Sequence, residues 1–295
     1  MSHIWKVVVM RLCSVKVDES EEAAVASGDE VIPVKVINET MGTNFSGQLL
    51  EIIKNGETAE LSRVVAEGEE KLAGLATSAY EFAPPYRNPP KLWGFGPNFR
   101  RHAEDLETVP PPNGPGSYMR PVRNMIGPGD TIILPPQSNR VTAEAELGVV
   151  IGRECRNVTP EEAKSVIYGY TTILDMTAED LLRENLRYIA RAKGFDTFCS
   201  IGPYIVTEDE VDEVEKIHIA TKVNGEIIAE APVSSMVREI PWLLSFHSQM
   251  TTLEVGDIIA TGTPGAGVIR HGDVVEADVR GIGHLRNHAR AATAD

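Results

Sequence analysis

The sequence predicts a mainly β protein with α+β elements, on three observations. Several runs of β-branched and apolar residues end at glycine or at turn residues, as strands do. The pair Asn224-Gly225 separates two such runs, and it predicts a tight hairpin because both residues adopt positive φ readily. A proline-dense segment at residues 83–90 separates a small first unit from a larger second one, since proline disfavours helices and central strands.

The first unit is predicted to span residues 1–83 and to combine strands with helices. Apolar residues recur at helical spacing in its second half, on a side formed by Leu61, Val64, Val65, Leu72 and Leu75. No catalytic chemistry is predicted here. The predicted elements are strands at residues 4–16 and 30–37, an acidic turn at 18–22, and helices at 48–53 and 59–75.

The second unit, residues 84–295, is predicted to be rich in strands and to carry the function. Its predicted strands lie at residues 92–96, 132–134, 142–151, 167–174, 201–206, 217–223, 226–229, 255–268 with a glycine-rich turn, and 271–280. Its predicted helices lie at residues 99–106, 177–191 and 235–253. In the last helix the side chains expected to face inward are Val237, Ile240, Leu244 and Met250.

Three carboxylates form the predicted chemical centre. Glu144 and Glu146 lie two residues apart on a predicted strand, so their side chains project from the same face. Asp175 ends the next apolar run, where a helix is expected to begin. Adjacent carboxylates repel one another unless a cation lies between them, and oxygen ligands suit Mg²⁺, Mn²⁺ or Ca²⁺. The alternative is a strand whose acidic face lies in water.

His102 and Asp105 form a candidate acid–base pair. They lie three residues apart on a predicted helix and therefore share one face. A carboxylate beside a histidine can fix its tautomer and make it more basic, as a general base requires. The alternative is a surface histidine near acidic neighbours. A loop rich in proline and glycine follows at residues 110–117, so this helix could move as a lid.

Two further segments can offer groups to an anion. Lys193 lies among small and apolar residues, where a lysine can place a cation in a pocket, although most lysines face water. The glycine-rich turn near Thr263 can offer backbone N–H groups and the threonine hydroxyl. This turn is not a dinucleotide-binding fingerprint, because its glycine spacing differs and no helix follows.

Composition argues against several classes of function. A formal net charge of −15 without a basic stripe argues against nucleic-acid binding. No apolar run reaches the roughly 18 to 20 residues that span a bilayer, and the N-terminus lacks a secretion-signal pattern. The cysteines, Cys13, Cys155 and Cys199, lie far apart and predict neither a disulfide framework nor a zinc site. We therefore expect a cytoplasmic protein.

Seven segments between roughly residues 90 and 287 form an ordered set of motifs: NFRRHA at 98–103, EAELGVVIG at 144–152, GYTTILDMT at 169–177, KGFDTF at 193–198, GP at 202–203, LEVGDIIATGTP at 253–264 and GIGHL at 281–285. Their order and spacing together resemble the fumarylacetoacetate hydrolase family. The resemblance implies a mixed β-roll with few helices, usually dimeric and often preceded by a smaller N-terminal domain.

The resemblance also implies a set of site residues and a metal, typically Mg²⁺ or Mn²⁺, for which Ca²⁺ can substitute. In the catalytic pair of the family the second member is more often a glutamate than an aspartate. The matching positions in this chain are the metal-binding carboxylates Glu144, Glu146 and Asp175, the catalytic pair His102 and Asp105, the lysine Lys193 and the threonine Thr263.

Two departures from the family pattern concern substrate binding. Relatives usually carry an arginine that holds a substrate carboxylate where this chain has Glu179, and Leu182 stands where a polar residue is frequent. Tyr118 begins a Tyr-Met-Arg-Pro segment that replaces a common Phe-x-Lys-Pro, although Arg120 keeps the charge. The metal and base positions survive in the sequence, but the usual anchor for a substrate acid does not.

Glu179 allows two hypotheses. If its side chain reaches the pocket, it repels anions, and the substrate is expected to lack a carboxylate at that end. If it pairs instead with Arg183, four residues on along the predicted helix, then Arg120 or Arg123 could anchor the acid.

The resemblance implies an enzyme that cleaves a C–C bond of a diketo or oxo acid through a metal-stabilised enolate. His102, oriented by Asp105, would take the proton, and Lys193 would neutralise charge at a carbonyl oxygen. One alternative is an isomerase or decarboxylase of an oxo-diacid in aromatic-compound catabolism. Another is an inactive binding protein on the same scaffold, for which Glu179 is the best support. We expect a homodimer with a small oxo-acid substrate, without nucleic-acid or membrane partners.

Overall fold

The computed structural model describes residues 10–292 and contains two β-sheets, one of 12 strands and one of five. The prediction of a mainly β fold is confirmed. The strands are β1 (Arg11–Val17), β2 (Ser20–Ser27), β3 (Glu30–Pro33), β4 (Phe82–Ala83), β5 (Leu92–Gly96), β6 (Gly116–Met119), β7 (Met125–Ile126), β8 (Thr131–Leu134), β9 (Val141–Ile151), β10 (Ile167–Ala178), β11 (Cys199–Thr207), β12 (His218–Val223), β13 (Glu226–Pro232), β14 (Ile258–Ala260), β15 (Ala266–Ile269), β16 (Val274–Val279) and β17 (Gly283–Ala291).

The helices are short, and none within residues 10–292 has the length and apolar character needed to cross a membrane. They are α1 (Val34–Met41), α2 (Leu49–Lys54), α3 (Thr58–Glu67), α4 (Glu69–Leu72), α5 (Arg100–Asp105), α6 (Pro160–Ala163), α7 (Glu179–Glu184), α8 (Ile189–Ala192) and α9 (Ile240–Met250). Single 3₁₀ turns lie at Ala73–Leu75, Val122–Asn124, Lys164–Val166, Leu186–Tyr188, Glu208–Glu210, Val214–Lys216 and Val233–Ser235.

The larger sheet joins the first strands of the chain to the strands of the predicted site. Its order is β3-β2-β1-β11-β10-β9-β14-β5-β6, with β4 beside β1, β7 beside β11 and β15 beside β9. Strand β1 runs antiparallel to β11, with Arg11 opposite Val206. The predicted domain boundary at residue 83 stays a prediction. Strands β1 to β4, before it, lie in the same sheet as β5 and later strands.

The smaller sheet covers one face of the larger one. Its order is β13-β12-β16-β17-β8. The predicted hairpin is confirmed: β12 and β13 are joined by Asn224 and Gly225, which have φ of 52° and 82°. Leu147 and Val149 of β9 belong to the same core as Val275 of β16, so the two sheets pack face to face.

Strand β9 is buried on both faces, and this explains its nearly continuous apolar sequence. Leu147 and Val149 contribute to the core between the sheets, whereas Val150 contributes to a second core beneath helices α1 to α4. The first unit therefore covers the outer face of the larger sheet. Glu144 and Glu146 of β9 are buried, so the alternative of a strand whose acidic face lies in water is wrong.

Several predicted elements in the first unit are corrected by the structure. The strand predicted at residues 30–37 ends at Pro33, and residues 34–41 form α1. The acidic turn is shorter than predicted, because β2 already begins at Ser20 and pairs with β1 along its length. Pairing with β1 buries Ala24 and Val25, which outweighs the weak strand propensity of the acidic residues. Residues 4–9 of the first predicted strand lie outside the described residues.

Three predicted helices are also shorter. The helix predicted at residues 59–75 is interrupted at Gly68, and Leu75 is exposed. The helix predicted at 177–191 begins at Glu179, because β10 pairs with β9 as far as Ala178, and Asp175 lies inside that strand. The helix predicted at 235–253 is α9 alone, and Met250 is exposed rather than inward-facing.

Candidate active site

The register of two long strands brings the three carboxylates together. Glu144 on β9 lies directly opposite Asp175 on β10, and Glu146 follows two residues along the same face. One ligand oxygen from each side chain lies within 4.8 Å of the others, and all three residues are buried. The geometry places them where oxygen ligands can share one divalent cation.

A lysine ammonium group lies among these carboxylates. Lys193 follows α8, and its Nζ is 3.0 Å from Glu144 Oε2 and 2.9 Å from Asp175 Oδ1. Nζ also donates to the Thr177 hydroxyl at 2.7 Å. Burial lowers the pKa of Lys193, partly offset by Glu144 and Glu146, which favour the charged form. The predicted lysine therefore reaches the predicted carboxylates.

Arg120 is a second buried cation at the same centre. Its guanidinium donates to Asp175 Oδ1 and to the backbone carbonyl groups of Met176, Lys193 and Phe198. Both terminal nitrogens thus bond protein oxygens, which fixes the position of Asp175. The role of Arg120 in substrate binding stays a prediction, and its observed contacts are with the carboxylate centre.

Tyr118 holds the other oxygen of Asp175. Its hydroxyl lies 2.5 Å from Asp175 Oδ2 and donates to it. Burial raises the pKa of this phenol well above its usual value, so it remains a neutral donor. The tyrosine ring lies directly over Gly94 on β5, where any side chain would collide with it. A glycine is therefore required at residue 94.

The turn after β14 positions Glu146. The backbone N–H of Gly262 donates to Glu146 Oε2 at 2.6 Å. Gly262 has φ of +98°, and a Cβ there would lie 2.9 Å from the Cβ of Asn98, so the turn requires glycine. Asn98 is buried and donates to the Thr261 carbonyl at 2.9 Å, which ties this turn to the start of α5.

Thr263 lines the same cavity from the end of this turn. Its hydroxyl donates to the Gly265 carbonyl at 3.0 Å and accepts from the Gly265 N–H at 3.2 Å. The observed role of the hydroxyl is to close the turn. Its predicted contact with substrate stays a prediction.

The two glutamates differ in their electrostatic environments. Burial raises the pKa of Glu146 to about 7, helped by the neighbouring charge of Glu144. Burial acts on Glu144 as well, but Lys193, His102 and Thr177 outweigh it and lower the pKa of that carboxyl. The centre thus has one more carboxylate than its cations compensate, and a divalent cation bound by oxygen ligands fits this donor set.

His102 lies on α5 at the wall of the cavity and is buried. Burial lowers the pKa of its imidazole, so the ring is neutral at neutral pH. Its Nδ1 has no hydrogen-bond partner among the described residues. Asp105 lines the same cavity, one helical turn away, without a hydrogen bond to His102 in this arrangement. The predicted orienting role of Asp105 stays a prediction.

A single cavity of about 620 Å³ connects these groups to the surface. It contains the candidate base, the lysine and two of the three carboxylates, and its outer part adds charged and apolar side chains. Among the residues that line it are Arg101, His102, Asp105, Leu106, Val109, Arg140, Glu144, Glu146, Glu179, Leu182, Arg183, Leu186, Ile189, Lys193, Ile228 and Thr263.

Glu179 lies on the cavity wall, but it is paired with arginines. Arg183 Nε lies 2.6 Å from Glu179 Oε1, and Arg140 Nε lies 2.9 Å from Glu179 Oε2. The carboxylate is buried while both arginines are partly exposed. The geometry supports the pairing hypothesis over repulsion by an unpaired carboxylate. Arg123 does not line this cavity.

The sequence interpretation missed Arg140 and Thr177 as site residues. Arg140 precedes β9 in a turn and meets Glu179 only through the tertiary fold, so no local pattern signals it. Thr177 was detectable, because it lies two residues after Asp175 and therefore on the same strand face. Its hydroxyl donates to Glu144 Oε1 at 2.8 Å.

Comparisons with known proteins agree with this geometry. Residues 91–290 match the sequence profile of the family described as fumarylacetoacetate (FAA) hydrolase, C-terminal. An uncharacterized protein of Archaeoglobus fulgidus is 44% identical over 213 residues, covering 72% of this chain and 83% of that protein. The mitochondrial oxaloacetate tautomerase FAHD2A of Bos taurus is 35% identical over 248 residues, covering 81% and 78%.

Solved structures of enzymes have the same architecture. A maleylpyruvate hydrolase from Sphingobium sp. SYK-6, in complex with manganese(II) and pyruvate, aligns with a TM-score of 0.78 at 26% identity, covering 96% of this chain and all of that one. A 5-carboxymethyl-2-hydroxymuconate delta-isomerase from Mycobacterium smegmatis aligns with a TM-score of 0.75 at 29% identity, covering 97% and 100%.

Proposed function

The chain belongs to the fumarylacetoacetate hydrolase family, and we propose that it is a divalent-metal-dependent hydrolase of a C–C bond in a diketo or oxo acid. The observation that carries the proposal is the convergence of Glu144, Glu146 and Asp175 with Lys193 and His102 around one cavity. The maleylpyruvate hydrolase that binds manganese and pyruvate has the same architecture and supports Mg²⁺ or Mn²⁺ as the metal.

The residues of this chain have separable tasks in such a reaction. When bound by the three carboxylates, a divalent cation supplies Lewis acidity that stabilises negative charge on an enolate oxygen. His102 is neutral because burial lowers its pKa, so it can accept a proton from water or from a substrate carbon. The residue is 5% exposed, so the imidazole is largely shielded from bulk water.

Lys193 contributes through the charge of the site. Its Nζ is within hydrogen-bonding distance of Glu144, Asp175 and Thr177, so all three donors have partners in this arrangement. A direct hydrogen bond from Lys193 to a substrate oxygen would require one of these to open. We therefore propose that Lys193 holds the ligand carboxylates and offsets their charge.

A second candidate is keto–enol tautomerisation of an oxo acid. It is favoured by the 35% identity to the oxaloacetate tautomerase of Bos taurus. Tautomerisation passes through the same enolate, and it requires His102 to move a proton between carbon and oxygen without activating water.

The two candidates are separated by their products. Hydrolysis of acetylpyruvate consumes one water and yields acetate and pyruvate, whereas tautomerisation of oxaloacetate changes the ultraviolet absorbance of the enol with no bond cleaved. We expect pyruvate release with Mg²⁺ or Mn²⁺, its loss with a chelator and in Glu144→Gln, and its retention in the exposed control Glu154→Gln.

Three other results would each support a different function. Loss of the oxaloacetate enol absorbance, with no pyruvate released from any acylpyruvate, supports a tautomerase. Carbon dioxide release from oxaloacetate supports a decarboxylase. Metal binding without turnover of any of these acids supports the inactive binding protein and overturns the proposed hydrolysis.

A further inference from the structure

The outer part of the cavity carries a group of apolar side chains beside its charged ones. Its apolar side chains come from three separate segments that meet around α5: the end of α5 and the loop after it, the segment from α7 to α8, and strand β13. They are Leu106, Val109, Leu182, Leu186, Ile189 and Ile228, and we call this group the apolar wall.

The apolar wall lies nearer the cavity mouth than the carboxylates do. Leu182 is 7% exposed, Ile228 37%, Leu186 63% and Val109 73%. The carboxylates at the other end of the cavity are 6% exposed or less. Three of these apolar side chains are thus far more exposed than the carboxylates, as expected for a cavity with a polar inner end and an apolar entrance.

Two hydrogen bonds hold the three segments together. Arg183 on α7 donates to the backbone carbonyl of Asp105 at 2.9 Å. Arg101 on α5 donates to the carbonyl of Ile228 on β13 at 3.3 Å. The apolar side chains on these segments are therefore neighbours, and they form one surface.

The buried carboxylate on this wall is engaged with protein groups. Glu179 accepts from both Arg140 and Arg183, which joins the buried carboxylate to two cations. Arg101 donates to a backbone carbonyl rather than to a carboxylate. The outer cavity therefore offers apolar side chains beside a buried carboxylate that already has partners.

We propose that the substrate carries an apolar group, of the alkyl or aryl acyl class, and that the apolar wall binds it. The assignment of the oxo-acid head to the inner end rests on the proposed function. A cavity of about 620 Å³ is of the size that encloses drug-sized ligands, so a small diacid such as oxaloacetate fills only part of it. An acylpyruvate with a longer acyl group places apolar atoms against Leu182 and Ile228.

The first test measures binding along a homologous series. Straight-chain 2-oxo acids from 2-oxobutanoate to 2-oxooctanoate lack the 1,3-dioxo group that hydrolysis requires, so they report affinity alone. By calorimetry with Mg²⁺ we expect the dissociation constant to fall about two- to fourfold for each added methylene. An affinity that stays level or weakens with chain length overturns the proposal.

The second test uses a matched pair on one strand. Ile228 lines the cavity, whereas its neighbour Ile227 is exposed and does not line it. Ile228→Ser should flatten the dependence of affinity on chain length, and Ile227→Ser should preserve it. Equal behaviour of the two variants would show that the wall does not bind the chain. A change of oligomeric state in Ile228→Ser, measured by sedimentation, would also overturn the proposal, because the apolar wall would then be a subunit contact.

Failure of this inference is distinguishable from failure of the proposed function. If the apolar wall is right and hydrolysis is wrong, affinity rises along the 2-oxo acid series while no acylpyruvate releases pyruvate. If hydrolysis is right and the wall is wrong, acetylpyruvate and hexanoylpyruvate are hydrolysed with equal kcat/KM.

Discussion

Two neighbouring glutamates on one strand, Glu144 and Glu146, are chemically identical but have different surroundings. Lys193 and Thr177 hydrogen-bond Glu144, whereas the oxygens of Glu146 receive the backbone N–H of Gly262. Burial raises the pKa of both carboxyl groups, but the partners of Glu144 lower its pKa in net, whereas that of Glu146 stays raised. Roles within the site therefore follow from the partners that the fold supplies to each group.

Replacing His102 tests its role as the base. We expect His102→Gln to lower kcat by about 10² to 10⁴ while metal affinity stays unchanged, since the imidazole is not a ligand in the carboxylate centre. His218→Gln, on β12 outside the cavity, is the matched control and should remain active. Wild-type activity in His102→Gln would show that another residue is the base.

The pH dependence of the rate gives a second check on His102. Burial lowers the pKa of the imidazole below 6.5, and a base acts in its neutral form. The limb of the rate profile that depends on His102 should therefore have its midpoint below pH 6.5. A limb with a midpoint above 6.5 that disappears in His102→Gln would contradict the effect of burial on this group.

Site residues were predictable from the sequence where strand periodicity brings their side chains to one face. Glu144 and Glu146 share a face because the side chains of a strand alternate, and this is legible without a structure. Arg140 was not predictable, since its contact with Glu179 joins residues 39 positions apart. The same holds for Tyr118, whose partner Asp175 lies 57 positions away.

At the scale of elements, Glu179 links helix α7 to the turn before β9, and Arg183 links α7 to the end of α5. Element ends were the least accurate part of the sequence prediction. Strand β10 continues past Asp175 to Ala178 because β9 offers hydrogen bonds along that whole length. Such long-range pairing overrides a local helical pattern.

The ion pairs of Glu179 should contribute measurably to stability. We expect Glu179→Ala to lower the free energy of unfolding by about 1–3 kcal/mol, because it removes the buried carboxylate that pairs with two partly exposed cations. Urea unfolding at pH 7 measures this. Glu213→Ala, which removes an exposed pair with Lys216, is the control and should change stability by less than about 0.5 kcal/mol. Equal losses in the two variants would reject the structural role.

Helix α9 carries a buried histidine that should make stability depend on pH. The ring of His247 lies 4.5 Å from that of Trp93 and 4.7 Å from that of Phe95, and neither nitrogen has a partner among residues 10–292. Burial lowers the pKa of His247 to about 4. The unfolded chain, with a pKa near 6.5, binds this proton first as the pH falls. Stability from this group is therefore present above about pH 6.5 and is lost progressively between pH 6.5 and 4.

A comparison of variants isolates this contribution from other acid effects. Between pH 7 and 5 the wild type should lose about 1–2 kcal/mol more stability than His247→Leu, measured by urea unfolding. His288→Leu, at an exposed position on β17, should behave as the wild type does. Identical acid sensitivity of His247→Leu and the wild type would show that His247 does not titrate in this way.

At the scale of the whole molecule, the strand that carries the centre belongs to the larger sheet and lies between the smaller sheet and helices α1 to α4. The mainly β fold was predictable from strand and turn patterns, whereas the pairing of β1 with β11 joins distant parts of the chain and has no local signal. The predicted homodimer and the cytoplasmic location stay predictions. Glu144 and Glu146 alternate along β9 with Ala145 and Leu147, which pack in the core between the two sheets, so the site depends on the assembled fold.

The central claim is that the three carboxylates bind a divalent cation, and Mn²⁺ titration by calorimetry tests it most directly. We expect the wild type to bind Mn²⁺ at one site, and Glu146→Ala to bind at least about a hundredfold more weakly while still unfolding cooperatively. Glu154→Ala, at an exposed position after β9, should bind as the wild type does. Unchanged Mn²⁺ affinity in Glu146→Ala would contradict the account.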